Sequence, residues 1–332
     1  MPTQNRVSSR WSIILAGGDG ERLQPSIQKW LGYPMPKQYC TFVGTRSMLQ
    51  HTWGRANRIV WPRNKVTVLG RTHQTQSSAH FFGDGEEGTF LVQPRNCGTA
   101  PGVFLPLTYV KALDPHAIIV IFPSDHFIFP EDPFVETVRR AARAVEFWRD
   151  RMILLGVQPS HPELDYGWMA PGSILGWSEG SAIRRIQEFV EKPESADGER
   201  LLNQGALWNT LVFVANVETL WNAGWTCVPA VMERFEQLRV SIGTPAEKLV
   251  LQTIYDDMPT HDFCRDVLQG LSGQLGVMKL EKVLWSDWGR PERILETLQA
   301  VGISPTFPTE VFQENPTLAT LKVKVEVAST VH

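Results

Sequence analysis

Short, continuous apolar runs alternate with longer amphipathic stretches over the first two thirds of the chain. The runs have the length of buried strands and lie at 13–15, 66–69, 90–92, 117–122 and 152–157. Residues 100–113 are predicted to be helical, and in 133–149 apolar side chains recur at helical spacing with charges opposite. This alternation predicts an α/β fold with a three-layer arrangement, in which crossover helices cover a mainly parallel mixed sheet.

The pattern changes after Ser181. Strand-like segments are predicted at 183–190, 207–215 and 275–280, and helices at 231–238, 246–255 and 292–301. Beyond Ile303 the chain is rich in proline and threonine, and residues 321–327 are predicted to be an edge strand or part of a tail. There is no internal repeat or low-complexity block, so the sequence indicates an ordinary globular protein.

Composition narrows the class of partner. The 332 residues carry a net charge of only −3, which gives no electrostatic reason to expect nucleic acid or an anionic membrane as partner. No apolar run approaches the roughly 20 residues that span a bilayer, and residues 1–10 lack the apolar centre of a signal peptide. The four cysteines show no CxxC spacing. These features predict a reduced, cytoplasmic setting.

A glycine-rich turn follows the first apolar run. Gly17, Gly18 and Gly20 come directly after residues 13–15, and Arg22 stands beside them. Glycine lets backbone N–H groups approach an anion, and a guanidinium forms paired hydrogen bonds with phosphate oxygens. The segment therefore fits a polyphosphate cradle, and it fits about equally well a turn with no role beyond structure.

Two common phosphate loops do not match this turn. The P-loop is excluded because no Gly-Lys-Ser/Thr follows at the required spacing. The dinucleotide-binding fingerprint fails because Leu23 occupies the position of its third glycine. Any phosphate cradle here must belong to another class.

Eight short motifs together carry a family resemblance. In chain order they are LAGGDGERLQP, MPKQY, QPRNCGTAP, FPSDH, DYGW, FVEKP, LWN and WSDWG. Their order resembles that of the sugar nucleotidyltransferases, also called nucleotide-sugar pyrophosphorylases, and each version is most similar to mannose-1-phosphate guanylyltransferase. The resemblance implies a Rossmann-like nucleotidyltransferase domain over 11–302, with a nucleotide half (11–150), a smaller sugar-binding half (151–302) and a C-terminal tail or edge strand (303–332).

The resemblance also implies a reaction. GTP and mannose 1-phosphate would give GDP-mannose and pyrophosphate, with Mg²⁺ as cofactor. The partners would be GTP and a hexose 1-phosphate, and a homo-oligomer is compatible with the family. Because proton transfer is minor in phosphoryl chemistry, catalysis would rest on positioning and charge neutralisation.

Matching motif positions imply the catalytic and nucleotide-binding residues. The implied catalytic residues are Arg22, Lys37, Asp125 and Asp287, and the two aspartates would bind the metal. The residues implied to bind nucleotide are Leu15, Ala16, Gly17, Gly18, Asp19, Gly20, Gln93, Asn96, Gly98 and Thr99. Asn96 and Thr99 also fit a plain turn and helix cap. An aspartate after a strand is likewise often a turn residue, and His126 is interpreted as an orienting or packing residue.

The same motifs imply the sugar-phosphate side. The residues concerned are Tyr166, Gly167, Glu191, Lys192 and Asn209. Glu191 and Lys192 equally fit an exposed ion pair, and Trp168 and Trp208 fit either a sugar platform or the core.

The chain departs from the family pattern at two positions. Glu21 stands where threonine is usual, and Leu211 where glycine is common. These departures leave open a pyrophosphorylase for another nucleotide or hexose 1-phosphate, and a nucleotide-sugar-binding regulatory module without turnover. A glycosyltransferase of related fold is disfavoured because no Asp-x-Asp motif follows a predicted strand.

Overall fold

The computed structural model describes residues 9–73 and 88–313. The strands of the main sheet are β1 (Arg10–Ala16), β2 (Lys65–Gly70), β3 (Thr89–Gln93), β4 (Ile118–Pro123), β6 (Met152–Val157), β7 (Gly167–Ser178), β8 (Ser181–Glu191), β9 (Leu207–Asn216) and β10 (Leu275–Lys279). Two short strands, β5 (Phe127–Phe129) and β11 (Leu284–Ser286), form a separate antiparallel pair.

Helices cover the sheet and connect its strands. They are α1 (Gln24–Leu31), α2 (Met48–Asn57), α3 (Thr99–Leu113), α4 (Glu131–Phe147), α5 (Ser195–Asn203), α6 (Val217–Cys227), α7 (Pro229–Ser241), α8 (Glu247–Asp256) and α9 (Pro291–Val301). Within the described ranges, no helix is both long and apolar enough to cross a bilayer. The predicted strands and helices up to residue 301 are all found, with ends that differ by a few residues.

The nine-stranded sheet has the order β3-β2-β1-β4-β9-β6-β10-β8-β7. The first four strands in this order pair in parallel, as the βαβ pattern predicts. Parallel pairing is less extensive in the second half than expected, because β9 lies antiparallel between β4 and β6 and β7–β8 is a hairpin. Glu179 and Gly180 form its two-residue loop, both at positive φ (46° and 79°), which suits the twist of a tight hairpin.

Strand β4 shows why the molecule has three layers. All six of its residues are buried, and successive side chains of a strand point to opposite faces. Ile119 and Ile121 belong to the core that includes Phe104 of α3. Ile118 and Val120 belong to the core that includes Phe134 of α4. The three-layer α/β fold is therefore confirmed.

A third apolar cluster lies beside the sheet and includes the start of the predicted tail. Phe307 and Phe312 pack with Trp30, Phe42 and Trp288. Residues 303–312 thus pack against the rest of the protein. The predicted edge strand at 321–327 lies outside the described residues.

Candidate active site

Asp125 and Asp287 both follow strands, Asp125 after β4 and Asp287 after β11. The ammonium of Lys37 lies 2.9 Å from Oδ2 of Asp125. The same ammonium donates to the backbone carbonyl of Asp287 and lies 3.4 Å from that of Trp288. Lys37 is only 4% exposed. The structure therefore brings together three of the four residues implied to be catalytic.

The electrostatics of this group keep both carboxylates ionised. Burial raises the pKa of Asp287, but the positive charges of Lys37 and Arg293 outweigh it and lower that pKa to about 2. At Asp125, burial is likewise outweighed by Lys37 and His126, so its pKa lies below the ordinary value. The negative charge of Asp287 raises the pKa of Asp125, as expected of neighbouring acids.

One oxygen of Asp287 is fixed by three donors. Its Oδ1 accepts from the Tyr166 hydroxyl (2.8 Å), from Nη1 of Arg293 (2.7 Å) and from the backbone N–H of Gly289 (2.9 Å). Arg293 is in turn paired with Glu163 and lies over the ring of Tyr166. Tyr166, implied to be on the sugar side, thus contacts the second aspartate directly.

Arg293 and Glu163 were not foreseen from the sequence. Neither lies inside a motif that carried the resemblance, and their contact joins positions far apart in the chain. A local signal existed only for Arg293, which falls in the first turn of α9, directly after the WSDWG motif. Sequence patterns do not show which distant acid such an arginine will meet.

The glycine turn follows β1, and hydrogen bonds from side chains of other segments fix its backbone. Gln38 donates to the backbone carbonyls of Ala16 (3.0 Å) and Gly18 (2.8 Å), and Gly20 has a left-handed backbone with φ of 62°. Asp19 contacts His73 at 3.1 Å and Asn96 at 3.3 Å. This scaffold, built by residues of the MPKQY and QPRNCGTAP motifs, fixes the shape of the turn.

Two depressions meet beside the turn. The first, of about 380 Å³, is lined by residues that include Leu15, Gly17, Gly18, Gln93, Asn96, Gly98, Thr99, Asp125, His126, Leu211 and Asp262. The second, of about 340 Å³, is lined by residues that include Asp19, Gly20, Glu21, Arg22, Lys37, Asn96, Asp125, Trp288 and Gly289. Asn96 and Asp125 line both, so the implied nucleotide residues line one continuous cleft, except Ala16, which is buried and lines neither depression.

Arg22 and Glu21 face the second depression. Arg22 is more than half exposed and lies 3.1 Å from Asp165 and 3.8 Å from Asp287. Glu21 is exposed, so solvent screens its negative charge. The cleft therefore keeps a cation at the turn despite the acidic neighbour.

The segment implied to recognise the base is built into the fold. A Cβ on Gly98 would overlap the carbonyl oxygen of His261, and its φ of 86° favours glycine. The Asn96 side chain accepts from the N–H of Gly98, and Thr99 bonds Asp262 and Phe263. Asn96 therefore has the turn role that the sequence also allowed, whereas Thr99 is the first residue of α3 and does not cap it; both line the cleft.

Three residues of the implied sugar side converge. A Cβ placed on Gly167 would lie 2.6 Å from Oε2 of Glu191 and 3.4 Å from Cβ of Asn209. Burial, and then the charge of Asp262, raise the pKa of Glu191 to about 7. Lys192 is exposed, with its ammonium 3.7 Å from Glu191. Asp262 and Cys264, which the sequence did not single out, complete this group.

Leu211 adopts the backbone conformation that glycine favours. Its φ is 55°, and its N–H donates to the side chain of Asn209 at 3.0 Å. A left-handed conformation costs a residue with a Cβ about 1–2 kcal/mol. The side chain also lines the first depression. Trp168 (0% exposed) and Trp208 (7%) are core residues rather than open platforms.

The chain is similar in sequence to several known proteins. The chain is 29% identical over 204 residues to the xanthan biosynthesis protein XanB of Xanthomonas campestris pv. campestris (strain B100), covering 61% of this chain and 41% of that protein. It is 30% identical over 206 residues to a mannose-1-phosphate guanylyltransferase of Salmonella montevideo, covering 61% and 42%. The matched part thus spans about two fifths of these relatives.

Solved structures share the fold. One described as mannose-1-phosphate geranyltransferase from Thermus thermophilus has a TM-score of 0.72 at 22% identity, covering 86% of this chain and 79% of that one. An inositol-1-phosphate CTP transferase from T. maritima has a TM-score of 0.55 at 15% identity, covering 90% and 98%. The family model described as nucleotidyl transferase matches residues 11–302. Because that match spans most of the sequence, the chain belongs to the nucleotidyl transferase family.

Proposed function

We propose that this protein transfers a guanylyl group from GTP to mannose 1-phosphate, giving GDP-mannose and pyrophosphate in a Mg²⁺-dependent reaction. The observation that carries the proposal is that Lys37 contacts both the carboxylate of Asp125 and the backbone of Asp287 beside a cleft that begins at the glycine turn. A nucleotide in this cleft would have its phosphates beside Arg22 and Lys37. The four unpaired cysteines are in keeping with a reducing, cytoplasmic setting.

The two aspartates suit a magnesium ion. Both are kept ionised, and Mg²⁺ prefers carboxylate oxygens together with water and substrate phosphates. Oδ1 of Asp287 is already bonded to three donors, so Oδ2, with Nη2 of Arg22 3.8 Å away, is the oxygen with more room for a ligand. When bound, such an ion would withdraw electron density from phosphate oxygens and so make the phosphorus more electrophilic.

The side chains of the cleft would then position the two substrates and neutralise the charge of their phosphates. An oxygen of the sugar phosphate attacks the α-phosphorus of GTP, the new P–O bond forms, and the bond to the β-phosphate oxygen breaks in line. The electron pair leaves with pyrophosphate. Arg22 and Lys37, on the side of the glycine turn, would offset the charge that develops on this leaving group.

The sugar side supports a hexose 1-phosphate more firmly than mannose in particular. Glu191 and Asn209 offer a carboxylate and an amide to sugar hydroxyls, and exposed Lys192 offers a cation to the phosphate. Leu211, whose N–H donates to Asn209, lines the first depression at a position where glycine is common in the family. Leu211 is the observation that favours a second candidate, a pyrophosphorylase for another hexose 1-phosphate or nucleotide.

Pyrophosphate release tests the proposal. GTP, Mg²⁺ and mannose 1-phosphate are expected to yield pyrophosphate and GDP-mannose in equal amounts. The same assay with ATP, CTP, UTP and dTTP, and with glucose 1-phosphate, checks base and sugar. Release only with another pair supports the second candidate, whereas GDP-mannose binding without release with any pair indicates a regulatory module and contradicts the proposed turnover.

A further inference from the structure

A separate cavity lies beside the candidate active site and is distinct from the two depressions of the cleft. It has a volume of about 370 Å³, within the range of small-molecule sites, and is bounded by α2, β5 and Trp288. It shares His126 with the first depression of the cleft and Trp288 with the second. None of the nucleotide or sugar residues implied by the motifs lines it, so the proposed reaction does not account for it.

One wall of this cavity is apolar and aromatic. Phe127 stacks on Trp288 with ring centres 4.6 Å apart and an angle of 13° between the planes. Phe129 stands on the same strand and is 41% exposed, so it offers apolar surface at the edge of the cavity. This wall would gain from covering by an apolar group, at roughly 25 cal/mol per Å² buried.

The polar lining of the cavity carries more positive than negative charge. Arg55 is 2% exposed and donates to Glu131 (3.0 Å) and Thr52 (2.6 Å), while its Nε is buried without a partner among the described residues. Nε2 of His51 is also buried and unpartnered within those ranges. Arg46 is exposed, and no acidic group in the part of the chain described pairs with it.

We propose that this cavity binds a small organic anion, whose carboxylate or phosphate lies among Arg46, His51 and Arg55 and whose apolar body packs on the aromatic wall. The lining contains two guanidinium groups, Arg46 and Arg55, but only one carboxylate, Glu131, which pairs with Arg55. The cavity therefore has charge complementarity for one more anion. An oxyanion would also supply acceptors for the exposed guanidinium of Arg46, which lines the cavity. A charge-assisted hydrogen bond of this kind favours binding.

Occupancy of the cavity would be felt in the cleft. Nη2 of Arg55 lies 3.5 Å from the carbonyl of His126, whose ring is 3.7 Å from Asp125. Trp288 directly follows Asp287, and its carbonyl contacts Lys37. An anion that shifts these groups would change nucleotide affinity, and by reciprocity nucleotide would change the affinity for the anion.

Fluorescence titration with 8-anilinonaphthalene-1-sulfonate tests this site on the full chain. This probe joins a sulfonate to an aromatic body, and N-phenyl-1-naphthylamine is its analogue without the sulfonate. We expect saturable one-site binding of the sulfonate and at least about tenfold weaker binding of the neutral analogue, because a charge-assisted hydrogen bond is lost.

Two rim variants locate the probe. Arg46→Gln and Phe129→Ser each remove a group from the exposed edge of the cavity, and each is expected to weaken binding about tenfold. Arg63→Gln and Trp61→Ser are the matched controls, since both residues are exposed and lie outside the cavity. These controls are expected to bind like the parent protein.

A titration in the presence of GTP shows whether the probe binds in this cavity or in the cleft. If the probe binds in the cavity, its apparent dissociation constant is unchanged by GTP or reaches a plateau as GTP rises. If the apparent dissociation constant of the probe keeps rising with GTP concentration, the probe competes with GTP within the cleft, and the proposal is overturned. Absence of saturable binding, equal affinity for the neutral analogue, or unchanged affinity in either rim variant overturns it too. Since the titration needs no turnover, its failure is distinct from a failure of nucleotidyl transfer.

Discussion

The ammonium of Lys37 lies 2.9 Å from a carboxylate oxygen of Asp125 and also donates to the backbone of Asp287, so one buried cation joins the two strand-end aspartates. Lysine in this position neutralises charge that would otherwise oppose folding of the site. In the proposed reaction it would also offset the charge that develops on the leaving pyrophosphate. One side chain therefore links the stability of the site to its chemistry.

Removal of this cation should destabilise the protein. Lys37→Met leaves the half-buried carboxylate of Asp125 without its partner, and the free energy of unfolding in EDTA is expected to fall by about 2 kcal/mol. Chemical denaturation measures the change. Lys29→Met is the control, because Lys29 is exposed on α1 and its loss should change stability by less than about 0.5 kcal/mol. Equal stability of the two variants would contradict the role assigned to Lys37.

Arg293 is predicted to position Asp287. Arg293→Met removes a 2.7 Å hydrogen bond to Oδ1 of Asp287 and the ion pair of Arg293 with Glu163, so the Asp287 carboxylate keeps only two of its three donors and is oriented less firmly. The Mg²⁺ concentration for half-maximal activity should rise about 10–100-fold, as found when groups that orient metal ligands are removed. A Mg²⁺ titration of pyrophosphate release measures this change.

Arg290→Met is the matched control for that titration. Arg290 pairs with Asp165 and has no hydrogen bond to Asp287 among those the structure describes. Its variant should keep the parental Mg²⁺ dependence. A similar rise in both variants would mean that loss of positive charge, and not the orientation of Asp287, is responsible.

Leu211 can be tested by comparing two small residues. Leu211→Ala and Leu211→Gly both remove the side chain, but only glycine adopts a φ of 55° without strain. The glycine variant is therefore expected to be more stable than the alanine variant by about 1 kcal/mol. Thermal or chemical unfolding measures the difference, and an alanine variant of equal or greater stability would argue against strain.

Position 249 supplies the opposite expectation. Leu249 is exposed on α8, so there glycine should be less stable than alanine by about 1 kcal/mol.

In the activity assay, both Leu211 variants are expected to accept a wider range of hexose 1-phosphates, because the side chain that narrows the cleft is gone. Unchanged selectivity would remove Leu211 from the sugar side.

Glu191 gives a prediction for pH. Because burial and Asp262 raise its pKa to about 7, the protonated form is favoured in the folded protein. The contribution of Glu191 to the stability of the folded protein is therefore complete below the pKa of about 4.5 that it has in the unfolded chain. It is lost as pH rises through its folded-state pKa of about 7. Between these pH values, the unfolding free energy should fall relative to Glu191→Gln by up to about 3 kcal/mol.

Denaturation curves at several pH values measure this difference. Glu194→Gln is the control, because Glu194 is exposed and close in the chain. Its difference from the parent protein should stay flat with pH. A flat difference for Glu191→Gln as well would mean that the carboxylate is ionised in the folded protein throughout this range.

Much of the fold could be predicted because local patterns determine it. The fully apolar run of β4 places Asp125 at the carboxyl end of a buried strand. Two helices before the second strand were missed although one had a signal, since Ser47 and Gln50 form a capping box at the start of α2. Strand β7 was missed because its glycines and serines hide the alternation of a strand.

The candidate site could be predicted only in part. Its motif residues were found, but the bond from Tyr166 to Asp287, and the pairing of Arg293 with Glu163, depend on contacts between distant segments. The left-handed backbone of Leu211 was equally hidden, since leucine gives no local signal for positive φ. Tertiary contacts, and not local patterns, decide these features.

Pyrophosphate release by Asp125→Asn and Asp287→Asn, with GTP affinity measured in parallel, tests the account most directly. Each substitution keeps the size of the side chain but removes the charge that the proposed Mg²⁺ site needs. The account predicts that each variant loses at least about 100-fold in turnover, as when a group that stabilises transition-state charge is removed, while GTP affinity weakens much less. Near-parental turnover in either variant would contradict it.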